Sequence, residues 1–144
     1  MSRSKLLYDQ GEKTFAVVFD KGEEAAAGLL DFAKREGMTA GRLTAIGGFS
    51  AMVLGFYDRD RKEYQKIPIH EQVEVLSLVG DISLDHGEPK VHAHVVVGKA
   101  DGTAHGGHLL EAHVWPTLEV IIVESPVHLR REMDEEAGLP LIRL

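Results

Sequence analysis

The sequence predicts an α+β domain, a mainly antiparallel β-sheet with one principal helix packed on it. Three observations carry this. Apolar residues alternate with polar ones along most of the chain, while a single stretch shows helical spacing. The connections between alternating runs are short, which favours antiparallel neighbours over long crossovers. The chain has 144 residues with 44% hydrophobic content, enough for one substantial core. We therefore expect one domain over residues 1–144, with its core at about 8–125 and a short tail at 126–144.

The elements follow in order. Lys13 to Phe19 places Phe15, Val17 and Phe19 on one face of a strand, against Thr14, Ala16 and Val18. Asp20 with Glu23 reads as a capping box, and Glu23 and Glu24 favour the positive helix start. A helix from about Gly22 to Glu36 then buries Ala26, Leu29, Leu30 and Ala33, with Gly37 as its left-handed cap.

Gly41 to Ile46 and Ala51 to Tyr57 read as two strands joined by Gly47-Gly48-Phe49-Ser50. The glycine pair signals either a tight turn or close approach to another backbone. Phosphate binding fits less well, because no glycine-rich phosphate motif or helix start follows. Glu63 to Ile69 is a further strand, with Pro68 marking an edge or an end. In Glu71 to Leu84, Val73, Val75, Ser77 and Val79 are expected on one face and Glu74, Leu76 and Leu78 on the other.

Asp85 to Pro89 is a turn. Thr117 to Val123 is a β-branched, central strand ended by Pro126. Arg130 to Gly138 reads as a short polar helix or tail.

Composition excludes several function classes. With no cysteine, disulfides, thiolate catalysis and cysteine-type zinc sites are ruled out, and a reducing cytoplasm is the expected setting. No apolar run is long enough to span a membrane as a helix. The 16 Lys+Arg stand against 23 Asp+Glu, a net charge of -7, whereas a duplex-binding protein displays a basic stripe. The densest basic stretch, around Asp58-Arg-Asp-Arg-Lys-Glu-Tyr, is interrupted by acids and reads as a solvated hairpin tip.

Chemistry concentrates in Val91 to Leu110, which holds four of the eight histidines. Val91, Ala93, Val95 and Val97 share one strand face, so His92 and His94 lie together on the other. Lys99-Ala-Asp-Gly102 turns the chain back. A two-residue turn at Asp101-Gly102 sets His108 opposite Val95, on the apolar face. A three-residue loop, Ala100 to Gly102, or a bulge at Gly106-Gly107, sets it opposite His94, on the histidine face. In that register His92, His94 and His108 suit Zn²⁺ or a similar borderline metal, with one position left open for water or a ligand. The plain alternative is a pair of solvent-facing strand histidines. His105 lies an odd number of residues from His108 and faces away. His70, His86, His113 and His128 have no spacing argument and read as surface or packing residues. Glu74 is either a base for a metal-bound water or a structural carboxylate. Ser77 and Ser83 have no histidine nearby in sequence.

An ordered set of short motifs resembles the plant-and-prokaryote conserved (PPC) domain from about Tyr8 to Ser125. These are Lys21-Gly-Glu23, Gly41-Arg-Leu-Thr-Ala-Ile-Gly-Gly48, Glu74-Val-Leu-Ser-Leu-Val-Gly80, Val91-His-Ala-His94, Gly106-Gly-His-Leu109 and Glu119-Val-Ile-Ile122. The resemblance implies a stand-alone prokaryotic member with a central antiparallel sheet, a homotrimer, and His92, His94 and His108 as the metal positions. Plant members carry Arg-Gly-Arg-Pro hooks and a Gly-Arg-Phe-Glu-Ile-Leu partner segment. This chain has no hook, and shows Glu71-Gln-Val-Glu-Val-Leu76 instead of that segment.

The resemblance carries a DNA-binding, regulatory label, but the expectation is a trimeric module that binds a metal and a small ligand or protein partner, with direct DNA binding the least favoured reading. The alternative is a zinc-dependent hydrolase or lyase acting through a metal-bound water.

Overall fold

In the computed structural model, which describes residues 2–9, 11–125 and 128–144, the alternating runs become nine strands around one helix. They are β1 (Arg3–Asp9), β2 (Lys13–Phe19), α1 (Ala25–Arg35), β3 (Gly41–Asp58), β4 (Glu63–Ile69), β5 (Val73–Asp85), β6 (Glu88–Gly98), β7 (Ala104–Glu124), β8 (Arg130–Asp134) and β9 (Leu139–Arg143). The α+β expectation holds. The sheet runs β1-β2-β7-β3-β5-β8-β9, with β4 added on β3 and β6 bridging β5 and β7. β3, β5, β6 and β7 therefore pair in a closed ring. Among the described residues the pairings are antiparallel except for β5 with β8.

The core lies between α1 and the inner face of the sheet. Ala25, Leu29, Phe32 and Ala33 of α1 are buried, and Phe32 meets Phe15 edge to face at 5.2 Å. Full burial of each large side chain contributes about 1.5–3 kcal/mol. The expected stripe was Ala26, Leu29, Leu30 and Ala33; Ala26 and Leu30 are only partly buried. The helix begins later than the spacing predicted because Glu24, rather than Asp20, is its cap. The Glu24 carboxylate accepts from Ala26 N, Ala27 N and, across on β7, Ala112 N. Glu23 does reach back to Asp20 N at 2.7 Å, so half of the expected capping box is present.

Three expectations are corrected by bulges and by the last hairpin. The two strands expected at 41–46 and 51–57 are one strand, β3, of 18 residues. Of the two readings of the glycine pair, close approach is the one realised. A Cβ on Gly48 would lie 2.4 Å from Trp115 O, and the β3–β7 register shifts on either side of Phe49. In β5, Val73 and Val75 share one face, as expected, and that face is buried. The register then shifts between Val75 and Ser77, so Leu78 turns inward and Val79 becomes 51% exposed, while Leu76 stays on the outer face of Glu74, 52% exposed. One extra residue reverses every following side chain.

Lastly, the segment expected as a polar helix or tail forms the β8–β9 hairpin, in register from Arg130↔Arg143 to Asp134↔Leu139. β1, which the sequence reading left unassigned, pairs with β2. Pro126, expected to end the long strand, lies outside the described residues.

Candidate metal centre

β6 and β7 build the site. Lys99 N donates to Thr103 O and Gly102 N to Lys99 O, closing the loop Ala100 to Gly102. Of the alternatives open in the sequence, this is the three-residue loop, and it places His94 opposite His108. The Gly106-Gly107 pair is needed for another reason. A Cβ on Gly107 would lie 2.7 Å from Gly55 O, so only glycine lets β7 approach β3 beside His108. Behind the histidines, Ala93, Val95 and Val97 are buried in the core and hold β6 in place.

His92 and His94 bring their Nε2 atoms to 3.2 Å. One ligand nitrogen from each of His92, His94 and His108 falls within 4.8 Å of the others. Two nitrogens bound at about 2.0–2.1 Å to a tetrahedral Zn²⁺ lie about 3.3 Å apart. The His92–His94 edge already has that length, and the His108 nitrogen lies within 4.8 Å of both. The donor set therefore fits a borderline divalent ion, and the triad can hold one.

The surroundings disfavour a proton on His108 and His92. Burial first, then His92, His94 and Lys90, push His108 down to about 4. Burial also lowers His92, opposed by the Asp81 carboxylate across the strand pair. Tyr64 Oη lies 3.5 Å from His108 Nδ1, at the long limit of a hydrogen bond, with the rings 4.5 Å apart. Burial raises the Tyr64 phenol, so it stays protonated. With Nδ1 facing Tyr64, Nε2 is the nitrogen His108 has to offer a ligand.

The remaining candidates separate from the site. His105 bonds Thr103 Oγ1 at 3.2 Å. His113 pairs with Glu111, and His86 with Asp85. His70 and His128 are exposed. Glu74 is exposed beside Gly98, away from the histidine pocket. Ser77 is exposed, whereas Ser83 is buried and accepts from Arg131 Nε.

Sequence reasoning missed the third wall of the site. The histidines floor a cavity of about 440 Å³ whose lining includes Tyr64 of β4 and Arg131, Leu139, Pro140 and Leu141 of the last hairpin. Arg131 fastens that hairpin, donating to Ser83 Oγ at 2.7 Å, Asp81 Oδ1 at 2.7 Å and Pro140 O at 3.0 Å. Tyr57 Oη donates to Ala137 O, and Lys62 Nζ to Glu135 O at 2.6 Å. Alternation in Glu63 to Ile69 was a usable signal for Tyr64. Nothing local in Arg130-Arg-Glu-Met-Asp signals Arg131.

The Plants and Prokaryotes Conserved (PCC) domain profile matches residues 7–126. The chain belongs to the PCC domain family. This is the family to which the ordered motifs pointed. Among solved structures, this PCC chain is similar to the metal-containing protein AF0104 of Archaeoglobus fulgidus, 33% identical over 100% of both chains with a TM-score of 0.84. It is similar to the plant- and prokaryote-conserved protein of Pyrococcus horikoshii, 31% identical over 100% of this chain and 95% of that one, TM-score 0.86. A Bacteroides thetaiotaomicron protein, provisionally named as DNA-binding, is 25% identical over 97% and 96% of the two chains, TM-score 0.89. Among curated proteins, it is 30% identical over 120 residues to bifunctional protein GlmU of Synechococcus sp. strain JA-3-3Ab. That match takes in 81% of this PCC chain but only 18% of the length of GlmU.

Proposed function

We propose that this PCC domain is a trimeric metal-binding module, acting in the cytoplasm, that holds Zn²⁺ on His92, His94 and His108 and presents its open coordination position to a small ligand or a partner. The observation that carries the reading is the convergence of three imidazoles, with His92 and His94 Nε2 at 3.2 Å, over a rigid buried strand face. The metal-containing relative from Archaeoglobus fulgidus supports it. A bound ion supplies a Lewis-acidic position, and the chain's own residues orient the rings and shape the cavity above them.

A binding role is favoured over hydrolase or lyase chemistry by the carboxylates. Asp81, the acid across from His92, is held by Arg131 at 2.7 Å, and Glu74 is outside the cavity. Neither is placed as a free base toward the cluster.

Support for the trimer comes from the outer sheet face. Ile46 is 60% exposed, and Leu76, Val79 and Ile121 lie beside it, lining one broad apolar hollow. Contiguous exposed apolar surface of this kind marks an interaction face. Direct duplex binding has no comparable support at a net charge of -7. Among the described residues no helix is long and apolar enough to cross a membrane.

Elemental analysis of protein purified without chelator or metal-affinity steps tests the reading. About one zinc per chain is expected, and metal-free protein that takes up no zinc on dialysis overturns it.

A further inference from the structure

Resting on that reading, we infer that the ligand of the histidine cavity is a small monocarboxylic acid with an apolar body, selected by the β8–β9 hairpin. Charge gives the head. Three neutral imidazoles leave the two positive charges of a bound ion uncompensated. Asp81, whose charge is felt at His92, is paired with Arg131 at 2.7 Å and so offsets only part of them. Lys90, on the cavity wall, adds a further cation, drawn only loosely to Asp85 at 3.6 Å. An anionic donor is therefore the preferred occupant of the open position.

The donor supply favours a carboxylate over a phosphate dianion. When His108 uses Nε2 toward the ion, its Nδ1–H donates to Tyr64 Oη, which frees the Tyr64 O–H to donate into the cavity. Arg131 is committed to Ser83, Asp81 and Pro140. No arginine fork is thus left for a phosphate dianion.

Shape gives the body. Opposite the histidines the wall is Leu139, Pro140 and Leu141, joined by Phe56 and Val91. Phe56 is 63% exposed and Leu141 37%, so both present apolar surface that an occupant would cover. The cavity, about 440 Å³, has the size of a small-molecule site, too small for a folded partner to enter. Most of this wall is the hairpin, which follows the end of the family match at residue 126.

The test titrates zinc-loaded protein with acetate, butyrate, hexanoate and hexylamine by calorimetry. Affinity is expected to rise with chain length, by roughly threefold for each methylene covered, so that hexanoate binds about eightyfold tighter than acetate when its whole chain is covered. Leu139→Ser and Leu141→Ser should flatten this gradient while leaving zinc content and acetate affinity unchanged. Hexylamine should not bind. Equal affinity for acetate and hexanoate, a gradient that survives both substitutions, or hexylamine binding as tightly as hexanoate overturns the inference. If the zinc-loaded state cannot be prepared at all, the metal reading fails and takes this one with it. Zinc uptake without a chain-length gradient overturns this inference alone.

Discussion

The Arg131 guanidinium lies 2.7 Å from the Asp81 carboxylate, and Asp81 is the cross-strand neighbour of His92. The last hairpin and the first metal-position histidine are thus tied to the same acid. The Arg131 side chain is 5% exposed and that of Asp81 is 35%. Loss of a partner from a buried pair is costly because the other charge is stranded, but Asp81 can draw on water. Arg131→Met should therefore destabilise the chain by about 2 kcal/mol, with the Ser83 hydroxyl also left without its donor. Urea denaturation measures this. Limited proteolysis should then cleave after Leu129 in the variant first. The exposed Arg3–Asp20 pair is the control, and Arg3→Met should cost under about 1 kcal/mol.

Metal binding should depend on three histidines and ignore two others. His92→Ala, His94→Ala and His108→Ala should each lose zinc by elemental analysis and keep a folded circular dichroism spectrum. The rings lie on the face opposite Ala93 and Val95, so their removal opens no core cavity. His105→Ala and His113→Ala should retain a full complement, since those rings bond Thr103 and Glu111. Zinc lost from His105→Ala and kept by His108→Ala would sink the assignment.

Acid should weaken the metal-free fold through His108. Its folded value, about 4, lies below the ordinary 6.5. Between those values the unfolded chain binds the extra proton and the folded chain does not. Stability from this group is therefore full above about pH 6.5 and declines as pH falls toward about 4. In chelator-treated protein, His108→Gln should show a shallower fall in melting temperature across that window. The same low value means that protons compete poorly with zinc at His108 around neutral pH. An equal slope in the variant and the parent would refute the account.

Assembly should run through the outer sheet face. Light scattering at micromolar concentration is expected to give a mass near three chains. Leu76→Glu and Ile121→Lys place charges on surface that is 52% and 42% exposed in one protomer, so the fold should survive while the mass drops. A parent protein that remains a single chain at all concentrations would end this proposal.

Duplex DNA should bind weakly. A chain with a net charge of -7 has little counterion release to drive association. Fluorescence anisotropy with a mixed-sequence duplex at physiological salt should show no saturation in the micromolar range. Tight binding that collapses with added salt would mean that assembly creates a basic surface absent from the single chain.

Much of the site was legible because it is local. His92 and His94 share a face by strand geometry alone, and the loop Ala100 to Gly102 needed only to be chosen among a few turn lengths. The helix and the antiparallel sheet were equally local, arising from alternation and spacing. What escaped was set by contacts distant in sequence. The bulge after Val75 puts an extra residue of β5 against both β3 and β6, and no turn residue in β5 marks it, so the true face of Leu78 could not be read from alternation. Gly48 is required by Trp115, far along the chain. The final hairpin is fastened by Arg131 reaching Asp81 and Ser83, contacts that no short-range pattern records.

The ring of β3, β5, β6 and β7 leaves the longest strands with partners on both sides, and the sheet's remaining borders are guarded. β1 carries Arg3 and Lys5, β4 carries Lys66 and Pro68, and β9 carries Pro140 and Arg143. Charges and prolines in such places oppose the docking of a foreign strand. At high concentration, or during slow thermal cycling, this chain should resist templated fibre growth despite its content of valine and isoleucine. Nucleation has to begin elsewhere, after a border strand such as β1 has peeled away.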